Sequence, residues 1–288
     1  MSCPHCCDKL DLLRVSVDKW LEGDQLLLAS KRAIEENPEN APMFLPGALA
    51  HPEPISPFRL ALLTGKKWQN GKTLRVAFLD GSQTVQDKTL KMAQTWSNYA
   101  NLKFVASTDA NAEIRVSYKQ QGSWSYIGTD VLGIPQGQPT INFGWINDQS
   151  ADGDYSVVLH EFGHTLGCIH EHQNPTTSIQ WNKPAVYAYY ARMGWNQQMV
   201  DQNLFQKYST NITQFTQMDA KSIMMYPIPK ELTLDGFSVP MNTVLSDVDK
   251  SFATQMYPGS VVPPVGTVVL DTTVNIPAGK YRVIVKPA

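Results

Sequence analysis

Residues 160–170 read HEFGHTLGCIH, and no other stretch constrains the fold of this chain as tightly. Four of the six histidines fall within positions 160–172. A buried structural histidine needs one partner and no company, so crowded imidazoles ask for a metal. Four residues apart on a helix, His160 and His164 lie about 40° apart around the axis and share one face. Both can therefore reach one ion at roughly 2.0–2.1 Å. A third ligand six residues later would leave that face if the helix continued. Gly167 resolves the conflict, because glycine tolerates the left-handed conformation that ends a helix and turns the chain back. His170 then approaches the same ion from another side.

Three neutral imidazoles leave one coordination position open for water. That is the catalytic arrangement of zinc, since structural sites fill all four positions with protein ligands. Glu161, next to the first histidine, can point into the same cleft and accept a proton from that water. An exposed helix with incidental histidines would explain a bare His-Glu-x-x-His match. It does not explain Gly167 and His170 at this spacing.

The rest of the chain has to carry this helix in a core. With 288 residues, 42% hydrophobic and 17% charged, the composition is that of a globular protein with one large domain or two small ones. A formal charge of −2 gives no electrostatic ground for a nucleic-acid or anionic-membrane partner. No apolar run approaches the roughly 18–20 residues that span a bilayer. Three of the four cysteines are Cys3, Cys6 and Cys7, and Cys168 stands alone in the main body, so no disulfide framework staples the core. The N-terminal segment has no apolar signal core, because Asp8, Asp11, Arg14 and Asp18 interrupt it. The compartment stays open between the cytoplasm and export by another route or with a leader.

Residues 9–36 are expected to be helical in places, with Leu26, Leu27, Ala33 and Ile34 as an apolar stripe. Six prolines between Asn37 and Pro57 predict an extended strap or linker. From 67 onward the pattern becomes regular. TLRVAFLD (73–80), KFVAS (103–107), AEIRVSY (112–118), SWSYIG (123–128) and PTINFG (139–144) read as strands. Met92, Trp96 and Tyr99 at helical spacing predict one long helix over 84–101. The histidine helix starts near Tyr155, one or two Tyr- and Gln-rich helices occupy 183–210, and Ser246 with Asp249 forms a capping box at the start of another. After Pro258 two β-rich runs predict a small hairpin. The expected division is an N-terminal segment (1–66), a main domain (67–258) and a β-rich extension (259–288).

The motif HExxHxxGxxH, followed downstream by SIMMYP (222–227), resembles the metzincin zinc peptidases and, within them, the astacin-like branch. Ser222, Ile223, Met224 and Tyr226 match that branch's methionine turn, as does Glu171 directly after the third histidine. GSWSYIG (122–128) resembles its substrate-edge segment. The resemblance implies an α/β (α+β) fold: a twisted, mostly parallel sheet with an antiparallel edge strand, over an active-site helix and a helical lower subdomain. It implies one zinc ion on His160, His164 and His170, an apolar floor at Met224, and Tyr226 as an additional, displaceable ligand whose hydroxyl swings to stabilise the oxyanion. The implied activity is endopeptidase hydrolysis of protein or peptide substrates, with Glu161 as general base, and secretion is the implied location. A zinc-binding or toxin-like module without catalysis is the competing reading, and retention of Glu161 speaks against it. The chain departs from the pattern at Ser123, where a disulfide cysteine often stands. It also departs at Cys168, expected to be a small buried side chain, and at His172, expected behind the ligands or on the surface.

Two groups of residues are candidates for blocking the open zinc position. LEGD (21–24) resembles an astacin pro-segment pattern in which Asp24 would replace water, although Leu21 stands where an aromatic residue is usual. Cys3, Cys6 or Cys7 could do the same as thiolates. A solvated helix end beside a reactive terminal cluster is the third alternative. The resemblance also implies cleavage near Arg59–Leu60, with the new amino terminus buried near Glu171.

Overall fold

The computed structural model describes residues 19–41, 65–174, 177–207 and 218–259, together with the backbone of two further strands at Thr272–Ile276 and Gly279–Val283. Five strands form one sheet: β1 (Thr73–Phe78), β2 (Lys103–Ala106), β3 (Ile114–Ser117), β4 (Ser123–Ser125) and β5 (Ile141–Phe143), in the order β2-β1-β3-β5-β4. All pairings are parallel except that of β4, which runs antiparallel to β5 with Trp124 opposite Asn142. Parallel strands need both faces covered. Accordingly β3 and β5 are buried along their whole length.

Helix α1 (Gly23–Glu36) precedes the sheet, and α2 (Gln83–Ala93) and α3 (Ser156–Thr165) follow β1 and β5. The main core lies between the sheet and these last two helices, with Trp68, Trp96, Phe104, Phe143 and Phe162 fully buried. Phe162 projects from α3 edge-on to Phe104 at 5.1 Å and stacks on Phe143 at 6.5 Å, which anchors the histidine helix beneath the sheet. Burying one such ring stabilises by about 1.5–3 kcal/mol.

Beyond α3 come α4 (Lys183–Ala191), the short α5 (Gln197–Val200) and α6 (Asp247–Met256). Val186, Tyr190, Val200 and Leu204 bury against Met225, Ile228 and Val239 as a second, lower core. The expected mixed fold is therefore the observed one. At the C-terminus, β6 (Thr272–Ile276) and β7 (Gly279–Val283) pair antiparallel as a hairpin.

Two local expectations change. The helix expected over 84–101 ends at Ala93, and a separate 3₁₀ turn covers Trp96–Asn98. Thr95, Ser97 and Asn98 are weak helix formers. The tightened turn also lets the Trp96 indole donate to the Leu159 carbonyl of α3 at 2.9 Å. On α1 the buried stripe is Leu26, Ala29 and Ala33, while Leu27 is 56% exposed. One residue around a helix is about 100°, so Leu26 and Leu27 cannot face the same wall.

Candidate metal centre

Helix α3 ends in the manner its sequence requires. Gly167 takes φ +100°, its N–H bonds the His164 carbonyl at 2.8 Å, and the Cys168 N–H bonds the Gly163 carbonyl at 3.0 Å. This paired reversal is the Schellman ending of a helix. The next orphan carbonyls are satisfied by side chains from distant segments. The Trp68 indole donates to the Thr165 carbonyl at 2.8 Å, and the Tyr257 hydroxyl donates to the Leu166 carbonyl at 2.7 Å.

The turn brings His170 back over the helix. His170 Nε2 lies 3.1 Å from Nε2 of both His160 and His164, and all three residues are buried. Each Nδ1 faces an oxygen: the Ile223 carbonyl at 2.7 Å from His160, the Cys168 carbonyl at 2.9 Å from His164, and Gln173 Oε1 at 3.3 Å from His170. Gln173 is oriented by its own amide nitrogen, which donates to the Gln202 carbonyl at 2.8 Å. An oxygen of this kind can only accept, so every Nδ1 carries the proton and every Nε2 presents a lone pair to the common centre. Three lone pairs this close repel one another unless a cation lies between them. A tetrahedral ion with bonds of 2.0–2.1 Å sets its nitrogens about 3.3 Å apart, so the donor set fits zinc. Burial, helped by the neighbouring His160, holds His170 well below its ordinary pKa and therefore neutral.

Glu161 is fully buried on α3, one residue from His160. The methionine turn packs against α3 and meets the first histidine through the Ile223 carbonyl. A side chain on Gly163 would place its Cβ 2.3 Å from Met224 Sδ, so the glycine makes room for the methionine. The Glu171 N–H bonds the Met224 carbonyl at 3.0 Å. The Glu171 carboxylate accepts from the Asp219 N–H at 2.9 Å and from Asn174 at 3.1 Å. Burial raises its pKa against these bonds. The Tyr226 ring is buried with its centroid 4.3 Å from that of His170 and 6.0 Å from that of His160. His172 is buried rather than superficial. It is stacked 5.1 Å from His170, with Nε2 on the Asn203 carbonyl at 2.8 Å. Cys168 is buried, and its thiol is pushed up by that burial.

Asp24 lies exposed on the first turn of α1, and the metal-holding group among the described residues consists of the three histidines without it. Cys3, Cys6, Cys7 and the Arg59–Leu60 bond lie outside the described residues. Beside His160 and Tyr226 opens a small cavity of about 40 Å³, walled by Trp145, Val157, Ile223, Met225 and Met241. On the other side, α3 passes below the edge strand, where Ser125 Oγ is 3.4 Å from Thr165 Oγ1. Among the described strands β4 pairs only with β5, which leaves its outer edge as a template for an extended chain.

Sequence reasoning missed the residue that holds the turn. Asp249 accepts from the Ser222 hydroxyl at 2.6 Å, the Ile223 N–H at 2.8 Å and the Ser246 N–H at 2.9 Å. Its only signal in the sequence is the capping box, which identifies a helix start and nothing about histidines. Gly163 was missed because a glycine inside a helical motif carries no sign of what it packs against.

A buried three-histidine centre closing a helix beneath a sheet with an antiparallel edge strand defines a zinc peptidase of the metzincin type. The sequence matches the Astacin peptidase family over residues 63–250, and the chain belongs to that family and is a zinc metalloendopeptidase. Among solved structures, one described as the structure of myroilysin is 46% identical at a TM-score of 0.66, covering 68% of this chain and 97% of the other. A second, the crystal structure of myroilysin, is 47% identical at 0.54, covering 67% and 86%. A hatching enzyme of the medaka fish Oryzias latipes, described as a zinc-protease, aligns at 16% identity and a TM-score of 0.48, covering 67% and 93%. No curated protein matches the sequence.

Proposed function

We propose that His160, His164 and His170 hold one catalytic zinc ion and that the protein cleaves internal peptide bonds with Glu161 as general base. The observation that carries this reading is the convergence of three Nε2 atoms, with each Nδ1 committed to an oxygen. Zinc bound there supplies a Lewis acid that activates water and polarises the scissile carbonyl. Glu161 takes the proton from the attacking water and returns it to the leaving amine. The Tyr226 hydroxyl donates to the carbonyl oxygen as negative charge develops. The substrate lies extended along the outer edge of β4, its main chain bonded as an added strand. A side chain next to the scissile bond enters the cavity beside His160. Met224 packs under the histidines, and Glu171 ties that turn to the third ligand. The peptidase unit is residues 67–258, with 1–66 and 259–288 as flanking segments.

The decisive experiment compares the wild-type chain with Glu161→Ala on casein or a quenched peptide. Chelator-sensitive cleavage is expected, falling by about 10²–10⁴ in the variant while zinc content stays at one per chain. Equal inertness of both after removal of residues 1–59, with zinc retained, would leave the non-catalytic zinc module as the function.

A further inference from the structure

A fourth imidazole stands beside the three that face the metal centre. His172 is 1% exposed, and its Nε2 lies 2.8 Å from the Asn203 carbonyl. A carbonyl only accepts, so this nitrogen carries a proton. That is the reverse of His160, His164 and His170, whose Nδ1 atoms face oxygens. His172 therefore turns no Nε2 lone pair toward the common centre, and the metal-holding group among the described residues does not include it.

Its ring has other company. His172 stacks on His170 with centroids 5.1 Å apart and planes 21° from parallel, and its centroid is 4.6 Å from that of Tyr226. Tyr226 in turn lies 4.3 Å from His170. Each pair is at the spacing of rings in contact, so the buried Tyr226 has His172 as one of its walls. Trp181 meets His172 edge-on at 6.4 Å and packs on Phe205 at 5.8 Å. Rings packed on several sides have few ways to shift.

What fixes His172 is a π-helical turn, Asp201–Phe205, that follows α5. It closes with the Gln206 N–H on the Asp201 carbonyl at 2.8 Å. The last carbonyls of a helix lack N–H partners of their own. Here the Gln202 carbonyl takes the Gln173 amide and the Asn203 carbonyl takes the His172 ring, both at 2.8 Å. Neighbouring side chains of one segment thus hang from neighbouring carbonyls of another. Single π-turns are frequent at functional sites. Through Gln173 this one orients the third histidine, and through His172 it reaches Tyr226.

We propose that His172 is a positioning residue for Tyr226. It binds no metal; its ring, locked by the Asn203 carbonyl, sets where the Tyr226 hydroxyl stands when charge develops on the substrate oxygen. The inference rests on the oxyanion role proposed for Tyr226. A donor stabilises such charge best when it is already in place, and misplacement by about 1 Å can cost about 10²-fold in rate.

The test compares the full zinc-loaded wild-type chain with Tyr226→Phe, His172→Gln and the double variant. Glutamine keeps an amide donor for the Asn203 carbonyl and removes the ring. Two readouts are taken: kcat and KM on a quenched peptide, and calorimetric affinity for a phosphinic peptide, a mimic of the tetrahedral intermediate. His172→Gln is expected to lower kcat by about 10- to 10²-fold and to weaken the phosphinic peptide in step, with KM and zinc affinity near wild type. In the Tyr226→Phe background the same change is expected to cost no more than about twofold further. Full additivity, or zinc affinity falling together with kcat, overturns the proposal. So does unchanged phosphinic-peptide affinity in His172→Gln where Tyr226→Phe has lost it. Unchanged affinity in both variants removes the oxyanion role itself, and the proposal with it. Should His172→Gln fail to load zinc, His172→Leu is read by the same criteria.

Discussion

His160 donates from Nδ1 to the carbonyl of Ile223 at 2.7 Å, and the N–H of that same residue is held by Asp249 at 2.8 Å. The first histidine of the centre is therefore oriented by a residue whose backbone a carboxylate on α6 helps to fix in place. Partners behind a metal ligand commonly contribute 10–100-fold in affinity. Asp249→Asn keeps the shape but presents an amide to donors that need an acceptor. Zinc affinity, measured by competition with a chromogenic chelator, is expected to fall by about tenfold or more. Wild-type affinity in this variant would show that the turn holds its position without Asp249.

The same carboxylate gives a pH dependence. Burial raises the Asp249 pKa above its ordinary value, with the bonds from Ser222, Ile223 and Ser246 acting in the other direction. A carboxyl whose pKa is higher folded than unfolded adds stability that is complete below its unfolded value and lost as pH rises through the folded one. Each unit of elevation corresponds to about 1.4 kcal/mol. In denaturant titrations from about pH 4 upward, the stability difference between wild type and Asp249→Asn is expected to move in favour of the variant. A difference that moves the other way, or stays flat, contradicts the raised pKa.

Tyr226→Phe tests the oxyanion role. The ring stays packed 4.3 Å from that of His170, and only the hydroxyl is removed. Losing one such donor costs about 10²–10³ in kcat. KM and zinc content are expected to stay near wild type. A change confined to KM would make Tyr226 a substrate-binding residue instead.

Gly163→Ala probes the packing between α3 and the methionine turn. The new methyl group would sit 2.3 Å from Met224 Sδ and 3.2 Å from the Trp96 ring. Overpacking of this kind costs about 1–3 kcal/mol, so thermal denaturation should show a lower Tm. Met224→Ala in the same chain vacates the space, and the double variant is expected to lose less than the sum of the two single changes. Simple additivity would mean that the two side chains do not share that volume.

The helix, its turn at Gly167 and the face shared by His160 and His164 are legible in the sequence. A helix repeats a fixed angular step, and a left-handed glycine is a local necessity. The strands were also legible, because alternation and β-branched runs report local fit to a sheet. The end of α2 at Ala93 was not. It depends on the Trp96 indole finding Leu159, 63 positions away. Nor was the seat of α1, since Leu26 and Leu27 are equally apolar and only the wall at Ile134 and Gly133 chooses between them.

From its order of residues alone this chain determined that three imidazoles would meet at one point, because that outcome needs only eleven consecutive positions. What holds those rings in one tautomer was decided by the tertiary structure. The Ile223 carbonyl, the carboxylate of Asp249 and the indole of Trp68 come from segments with no local reason to be near. Only burial of the common core brings their polar groups to the places where α3 needs partners.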